Sequence, residues 1–143
     1  MYEYGKWTFI ALRKTEDHRG TLLFSETPKD VPFKIQRVYV LASSENMRER
    51  GNHAHRKLKQ FMFALGGPYR INLNNGKISE TFTLYPSDKA VYISGLVWRS
   101  LIPQTESSTL VVLASEIFSE DDYIRDYREF RSIANNLHDE DHQ

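Results

Sequence analysis

Between Gln60 and Ala114 the chain is cut by turn residues at short, regular intervals, and this punctuation constrains its fold more than any other feature. Gln60-Phe61-Met62-Phe63-Ala64-Leu65 is a strongly apolar run closed by Gly66-Gly67-Pro68. Tyr69 to Leu73 alternates and runs into Asn74-Asn75-Gly76, the clearest hairpin signal in the sequence. On the return, Thr81, Thr83 and Tyr85 alternate with Phe82 and Leu84. Ala90 to Ile93 stops at Ser94-Gly95, and Val97 to Ile102 stops at Pro103. Thr109 to Ala114 is continuously apolar, the mark of a buried strand.

The same grammar extends upstream. Trp7 to Leu12 is rich in aromatic and β-favouring residues, Asp17-His18-Arg19-Gly20 is a turn, and Thr21 to Glu26 resumes extended structure. After the loop Pro28 to Pro32, residues 34–41 alternate almost strictly, with Ile35, Arg37, Tyr39 and Leu41 on one face. An arginine and a tyrosine sharing a face with apolar neighbours suit the lining of a polar cavity. About ten short strands with turn signals between them predict an all-β sandwich or barrel, with a jelly roll as the best architecture. Only the last quarter departs from this. Ser119-Glu120-Asp121-Asp122 offers a capping residue with acids behind it, and Tyr123, Tyr127 and Phe130 recur at helical spacing. A short C-terminal helical segment is expected there, with residues 136–143 as a frayed tail.

A chain of 143 residues is most simply one domain, with no repeat, linker or boundary to divide it. Its formal net charge of zero gives no argument for nucleic acid or an anionic membrane surface. It contains no cysteine, which removes disulfides, thiolate metal sites and cysteine nucleophiles together and fits a reducing cytoplasm. Met1 to Lys6 lacks the basic start and apolar run of a secretory signal, and no apolar run has the length of a membrane span. A cytoplasmic location is expected.

The chemistry concentrates at Arg50-Gly51-Asn52-His53-Ala54-His55, with Gln60 close behind. On a strand, residues two apart share a face, so His53 and His55 look into one space. Such a pair serves as metal ligands, as acid–base catalysts, or as hydrogen-bonded rim residues. The run resembles the first cupin motif, in which Gly-x-His-x-His is followed by a carboxylate. Here Gln60, a poor ligand, takes the carboxylate place. The turn Ser94-Gly95, where metal-binding cupins supply another histidine, is followed by Leu96-Val97-Trp98-Arg99. Two histidines without a third ligand or an acid make a weak metal site, so acid–base catalysis without metal or cofactor is favoured.

Six blocks in order carry a more specific resemblance. These are Asp17 to Leu22 with Glu26, Pro32 to Tyr39, Arg50 to His55, Val97-Trp98, Val112 to Ser115, and Asp122-Tyr123-Ile124-Arg125-Asp126-Tyr127. Together they resemble the dTDP-sugar 3,4-ketoisomerases, metal-independent cupins of the WxcM-like kind that act in deoxyamino-sugar synthesis. The resemblance implies dTDP-4-keto-6-deoxyglucose as substrate and movement of its carbonyl from C4 to C3 through an enediolate. It implies a homodimer, often with exchanged N-terminal strands.

His53 and His55 carry over as the catalytic pair. Two adjacent imidazoles disfavour double protonation, so one neutral and one protonated ring is the expected resting state. Arg37, Tyr39 and Gln60 are candidate donors to the enediolate, with Tyr39 placed among the catalytic residues. Arg19, Arg50 and Arg125 are candidates for the diphosphate, and Arg99, Asn52 and Trp98 for other parts of the substrate. Where the family often has Pro-Gly before its tryptophan, this chain has Ser94-Gly95-Leu96. The residue after that tryptophan varies between histidine and arginine, and Arg99 stands there. Arg99 and Arg19 therefore bear on the C4 configuration of the product.

Three rivals set the terms of comparison. A dTDP-sugar 3,5-epimerase needs a histidine paired with an aspartate and a tyrosine acid, and no such set is evident. A metal-dependent cupin oxygenase needs bound iron. A non-catalytic nucleotide-sugar-binding domain keeps the arginines and tolerates loss of both histidines.

Overall fold

The computed structural model describes residues 2–140. Twelve strands and one helix follow in order: β1 Lys6–Ala11, β2 Arg13–Asp17, β3 Gly20–Phe24, β4 Arg37–Ala42, β5 Arg50–His55, β6 Gln60–Leu65, β7 Tyr69–Asn74, β8 Ser79–Leu84, β9 Lys89–Ser94, β10 Trp98–Pro103, β11 Thr109–Ala114, β12 Tyr123–Ile124 and α1 Tyr127–Glu140. Two five-stranded antiparallel sheets, ordered β1-β9-β6-β11-β4 and β12-β5-β10-β7-β8, form a β-sandwich of the expected jelly-roll kind. The hairpin β2–β3 stands apart as a two-stranded sheet.

The core lies between the two sheets and follows the period of two. Met62 and Ala64 of β6, Val91 and Ile93 of β9, and Leu110 and Val112 of β11 meet Tyr69, Ile71 and Leu73 of β7, Leu84 of β8 and Leu101 of β10. All are essentially withdrawn from water. Each buried aliphatic side chain contributes roughly 1.5–3 kcal/mol over its exposed state, so this double layer of apolar residues fixes the register of both sheets. In β4 the alternation resolves as expected. Tyr39 and Leu41 pack toward the core, and Val38 and Val40 remain 58% and 54% exposed on the outer face.

Arg13–Asp17, over most of which no element was expected, forms β2, pairing with β3 in a register from Arg13↔Phe24 to Asp17↔Gly20. Two expectations are corrected. Ser119 does not start the C-terminal helix. Glu120–Asp122 is a single 3-10 turn, Tyr123–Ile124 is a strand on β5, and the helix begins at Tyr127. Its cap is Asp126, whose carboxylate accepts the Arg128 N–H at 2.9 Å. Finally, the helix continues through Glu140, where a frayed tail was expected from residue 136. Phe130 and Ala134 bury against Ala54 and Ile124, with Leu137 beside them. His138 Nε2 donates to the Asn75 carbonyl at 2.8 Å, tying the last turn to the hairpin of β7 and β8. Residues 141–143 lie outside the described residues.

One local irregularity positions the site. Where β5 pairs with β10 the register moves from Arg99↔His53 to Ser100↔Gly51, so β5 carries one extra residue, Asn52. Gly51 (φ 91°) and Asn52 (φ 58°) are both left-handed, the geometry of a β-bulge. A Cβ on Gly51 would sit 2.8 Å from the Arg99 carbonyl oxygen. Gly51→Val is therefore expected to cost about 1–3 kcal/mol, as steric overlap adds to left-handed strain. A urea midpoint unchanged from the parent chain would show that the bulge relaxes freely.

Candidate active site

A pocket of about 300 Å³ opens between the sheets, lined by Tyr39, Leu41, Arg50, Gly51, His53, Gln60, Arg99, Leu101, Tyr123 and Arg125. β4 supplies Tyr39, β5 the Arg50–His53 edge, β6 Gln60, β10 Arg99, and β12 Tyr123. Of the residues expected from sequence, His53, Tyr39, Arg50, Gln60, Arg99 and Arg125 converge here. His55 lies directly behind His53, their rings edge-to-face with centroids 4.7 Å apart, and is 1% exposed.

Each imidazole has one nitrogen engaged. His53 Nδ1 donates to the Gly51 carbonyl at 3.0 Å, leaving Nε2 unprotonated. His55 Nδ1 donates to Asp122 Oδ2 at 2.9 Å, and its Nε2 is buried with no partner. Burial, helped by the nearby Arg99 charge, holds His53 down at about 3. Burial likewise holds His55 down at about 4, although Asp122 pulls it upward. Both rings are thus neutral at pH 7, which corrects the expectation of one neutral and one protonated histidine. Desolvation outweighs the mutual repulsion on which that expectation rested.

These shifts carry a stability prediction. A histidine held below its unfolded value near 6.5 contributes stability that is complete above that value and is lost as pH falls toward the folded value. The window here runs from about 6.5 down to about 4 for His55 and about 3 for His53. Each group contributes up to about 1.4 kcal/mol per pH unit within it. Melting temperature should fall as pH drops from 6.5 to 4.5, with a shallower slope in His53→Asn. An equal slope in both proteins would refute the assignment.

Arg99 is the electrostatic centre. It is 1% exposed, and among the described residues no carboxylate pairs with it. One Nη donates to the Gln60 side-chain carbonyl and the other to the Val97 carbonyl at 2.8 Å, while Nε is buried without a partner. Burial lowers its pKa to about 10, so it remains charged at neutrality. The Gln60 amide in turn donates to the Tyr39 oxygen at 2.6 Å. Gln60 therefore spans the two, and the Tyr39 hydroxyl hydrogen is left to point at a ligand. Burial raises the Tyr39 pKa despite the nearby Arg99, so it stays a neutral donor.

Besides His55, four expected residues are not brought into the pocket wall. Trp98 follows strand alternation to the opposite face from Arg99 and packs on Tyr127 and Phe130 of the helix, at ring distances of 5.1 and 5.6 Å. Asn52 is turned out by its left-handed backbone, and its amide donates to Glu49 at 3.2 Å. Arg19 sits at the tip of the β2–β3 hairpin, 80% exposed and paired with Asp17 at 2.6 Å. Arg37 lies behind Tyr39, its guanidinium 5.0 Å from that ring and 5.8 Å from Phe118.

Two residues of the site were missed from sequence, Asp122 and Tyr123. The pairing Tyr123↔His55 places both against the histidines, with Tyr123 4.9 Å from His53 and 4.5 Å from His55 between ring centroids. The only sequence signal was their membership of the C-terminal block, where Asp122 read as a helix-start acid. Their placement corrects the expectation that no histidine–aspartate–tyrosine set exists. Among the described residues no group of three or more histidine, cysteine, aspartate or glutamate side chains is arranged to hold a metal.

A jelly roll whose pocket holds an imidazole backed by a second, a phenol and an unpaired buried cation defines a cupin-type site. Comparison with known proteins narrows that class. The family model described as "FdtA: WxcM-like, C-terminal" matches residues 5–135, and this chain belongs to that family. A TDP-4-oxo-6-deoxy-alpha-D-glucose-3,4-oxoisomerase from Aneurinibacillus thermoaerophilus is 36% identical over 122 residues, covering 85% of this chain and 88% of its own. A histidine-to-asparagine mutant of the 3,4-ketoisomerase QdtA from Thermoanaerobacterium thermosaccharolyticum, solved with TDP-4-keto-6-deoxyglucose, superposes with a TM-score of 0.86. It is 34% identical, over 91% of this chain and 94% of that one. A 3,4-ketoisomerase from Helicobacter canadensis gives a TM-score of 0.85 at 32% identity, over 90% and 97% of the two chains.

Proposed function

We propose that this protein is a sugar-nucleotide 3,4-ketoisomerase acting on TDP-4-keto-6-deoxyglucose. The observation that carries the reading is a buried cation without a counter-ion, paired across strands with a half-buried neutral base. That pairing suits a reaction in which carbon loses a proton and oxygen gains negative charge. His53, which lines the pocket, takes the C3 proton on Nε2. The developing charge on O4 is met by Arg99 and the Tyr39 hydroxyl. The O3 proton moves to O4, leaving the charge on O3, and imidazolium His53 then protonates C4. The C3–H bond is broken, the C4–H bond is formed, and the carbonyl stands at C3. His55 lies behind His53, outside the residues that line the pocket. Arg50 and Arg125, at the pocket edge, suit the diphosphate.

The product is a 3-ketone, the form that an amine-transferring enzyme consumes, which fits deoxyamino-sugar synthesis. A cytoplasmic setting belongs to this proposal, supported by the absence of cysteine from the sequence. No helix among the described residues is long and apolar enough to cross a membrane. A homodimer belongs to the same proposal. It is supported by the exposed Val38 and Val40 on edge strand β4 and by the hairpin that holds Arg19 away from its own pocket. Light scattering of the purified protein at twice the chain mass is the expected result.

A second reading, 3,5-epimerisation, is favoured by the His55–Asp122 pair beside Tyr123. Incubating chelator-treated protein with TDP-4-keto-6-deoxyglucose in deuterated buffer separates the two by proton NMR. Loss of the C3 proton with appearance of a 3-ketone is expected, and the C4 coupling gives the configuration. Deuterium at C3 and C5 without carbonyl migration would establish the epimerase. Activity that returns only with added metal would make His53 and His55 ligands.

A further inference from the structure

The hydrogen bonding behind the pocket points to a role for Asp122, and we infer that Asp122 is a positioning residue that holds His55 with its proton on Nδ1 and thereby sets the charge environment in which His53 works. The inference rests on the ketoisomerase reading for its effect on turnover and on geometry alone for the tautomer.

Asp122 is committed on both oxygens. Oδ2 accepts from His55 Nδ1 at 2.9 Å, and Oδ1 accepts the Lys57 backbone N–H at 2.7 Å. The carboxylate also borders a second cavity of about 280 Å³, walled by Arg56, Lys57, Glu116, Ile117 and Ser119. Burial pushes its carboxyl up. The bonds from His55 and from the Lys57 and Leu58 amides outweigh that effect and leave it ionised. No other carboxylate among the described residues bonds to either histidine. When His53 becomes an imidazolium beside the Arg99 cation, Asp122 is the negative charge acting through His55 that offsets the repulsion. The opposite tautomer would lose the Asp122 bond and leave the ring's one N–H on Nε2, which is buried with no acceptor.

Asp122→Asn reverses this arrangement for a definite reason. The Lys57 N–H requires an acceptor, so the amide oxygen must face it and the NH₂ must face His55 Nδ1. His55 is then forced to carry its proton on Nε2. Wrong-tautomer substitutions of this kind cost up to about 10⁴ in kcat where a histidine's carboxylate partner is lost.

Long-range nitrogen–proton correlation NMR on the ¹⁵N-histidine-labelled protein reads the tautomer directly, and turnover of the 4-keto sugar nucleotide reads its consequence. The parent protein is expected to show His55 protonated on Nδ1, and D122N to show it on Nε2. In D122N kcat should fall at least about 100-fold with KM within about threefold, because the loss is confined to the charged transition state. The C3-deuterium isotope effect should rise toward its full value as proton abstraction becomes slower. Asp122→Glu should recover the tautomer and part of kcat. An Nε2 proton on His55 in the parent protein overturns the inference, even if D122N does not fold. So does a flipped tautomer with kcat unchanged. A parent protein that holds the Nδ1 tautomer but moves no carbonyl would instead overturn the ketoisomerase reading alone.

Discussion

His53→Asn should lower kcat by about 10³-fold or more while leaving KM within a few fold, measured as 3-ketone formation by NMR. Asparagine can keep the bond to the Gly51 carbonyl that His53 Nδ1 makes at 3.0 Å, so the bulge and the pocket wall persist. It cannot accept the C3 proton. The loss should therefore fall on the chemical step and not on binding, and C3–H exchange into deuterated solvent should disappear with turnover. Retention of that exchange in the variant would move the base to another residue, with His55, its ring 4.7 Å away, the nearest candidate.

The pH dependence of the parent enzyme follows from the same residue. His53 must be neutral to act, and burial together with Arg99 holds it at about 3 in the free protein. The acid limb of kcat/KM should lie below pH 5, not at the 6.5 of an ordinary histidine.

Arg99→Met should move activity and stability in opposite directions. Arg99 is a charge buried without a counter-ion, and its Nε has no acceptor. Replacing such a group by an apolar side chain of similar length removes its desolvation penalty, an exchange that is often neutral or stabilising by about 1–4 kcal/mol. The Gln60 carbonyl loses its donor in the exchange, which offsets part of the gain. The melting temperature should hold or rise. Turnover should fall about 10²- to 10³-fold, the usual effect of deleting a preorganised donor to a developing oxyanion. A variant that loses stability and keeps its activity would show that Arg99 is a structural strut and that the enediolate is stabilised elsewhere. The two outcomes are separated by a thermal melt and a single progress curve.

The unpaired state of Arg99 also adds to the burial that keeps both histidines neutral. An ion pair with a carboxylate would have cancelled its field at the pocket. Left alone, it depresses the imidazoles in the free protein and is available to an anionic intermediate. The same absence of a partner raises the resting cost of the site and its use in the reaction.

Much of this protein could be read without coordinates because the information was local. The period of two placed Tyr39 and Leu41 inward and Val38 and Val40 outward, and it put His53 and His55 on one face. Glycine, proline and asparagine punctuation marked nearly every strand from β6 to β11, since turn conformation is a property of a few adjacent residues. The block order from Asp17 to Tyr127 pointed to the family to which the chain belongs. What could not be read depends on pairing between distant segments. A two-residue strand carries no period, so nothing local announces that β12 lies on β5, and acids ahead of a helical stripe look like a helix start. That pairing alone brings Asp122 to His55 across 67 residues. Trp98 and Arg99 are adjacent in sequence, and only the packing of α1 on one face of β10 decides which of them meets the pocket. Protonation followed the same rule. Sequence placed two imidazoles together, but their neutrality comes from burial and from a cation delivered by another strand, and desolvation is a property of the assembled sandwich.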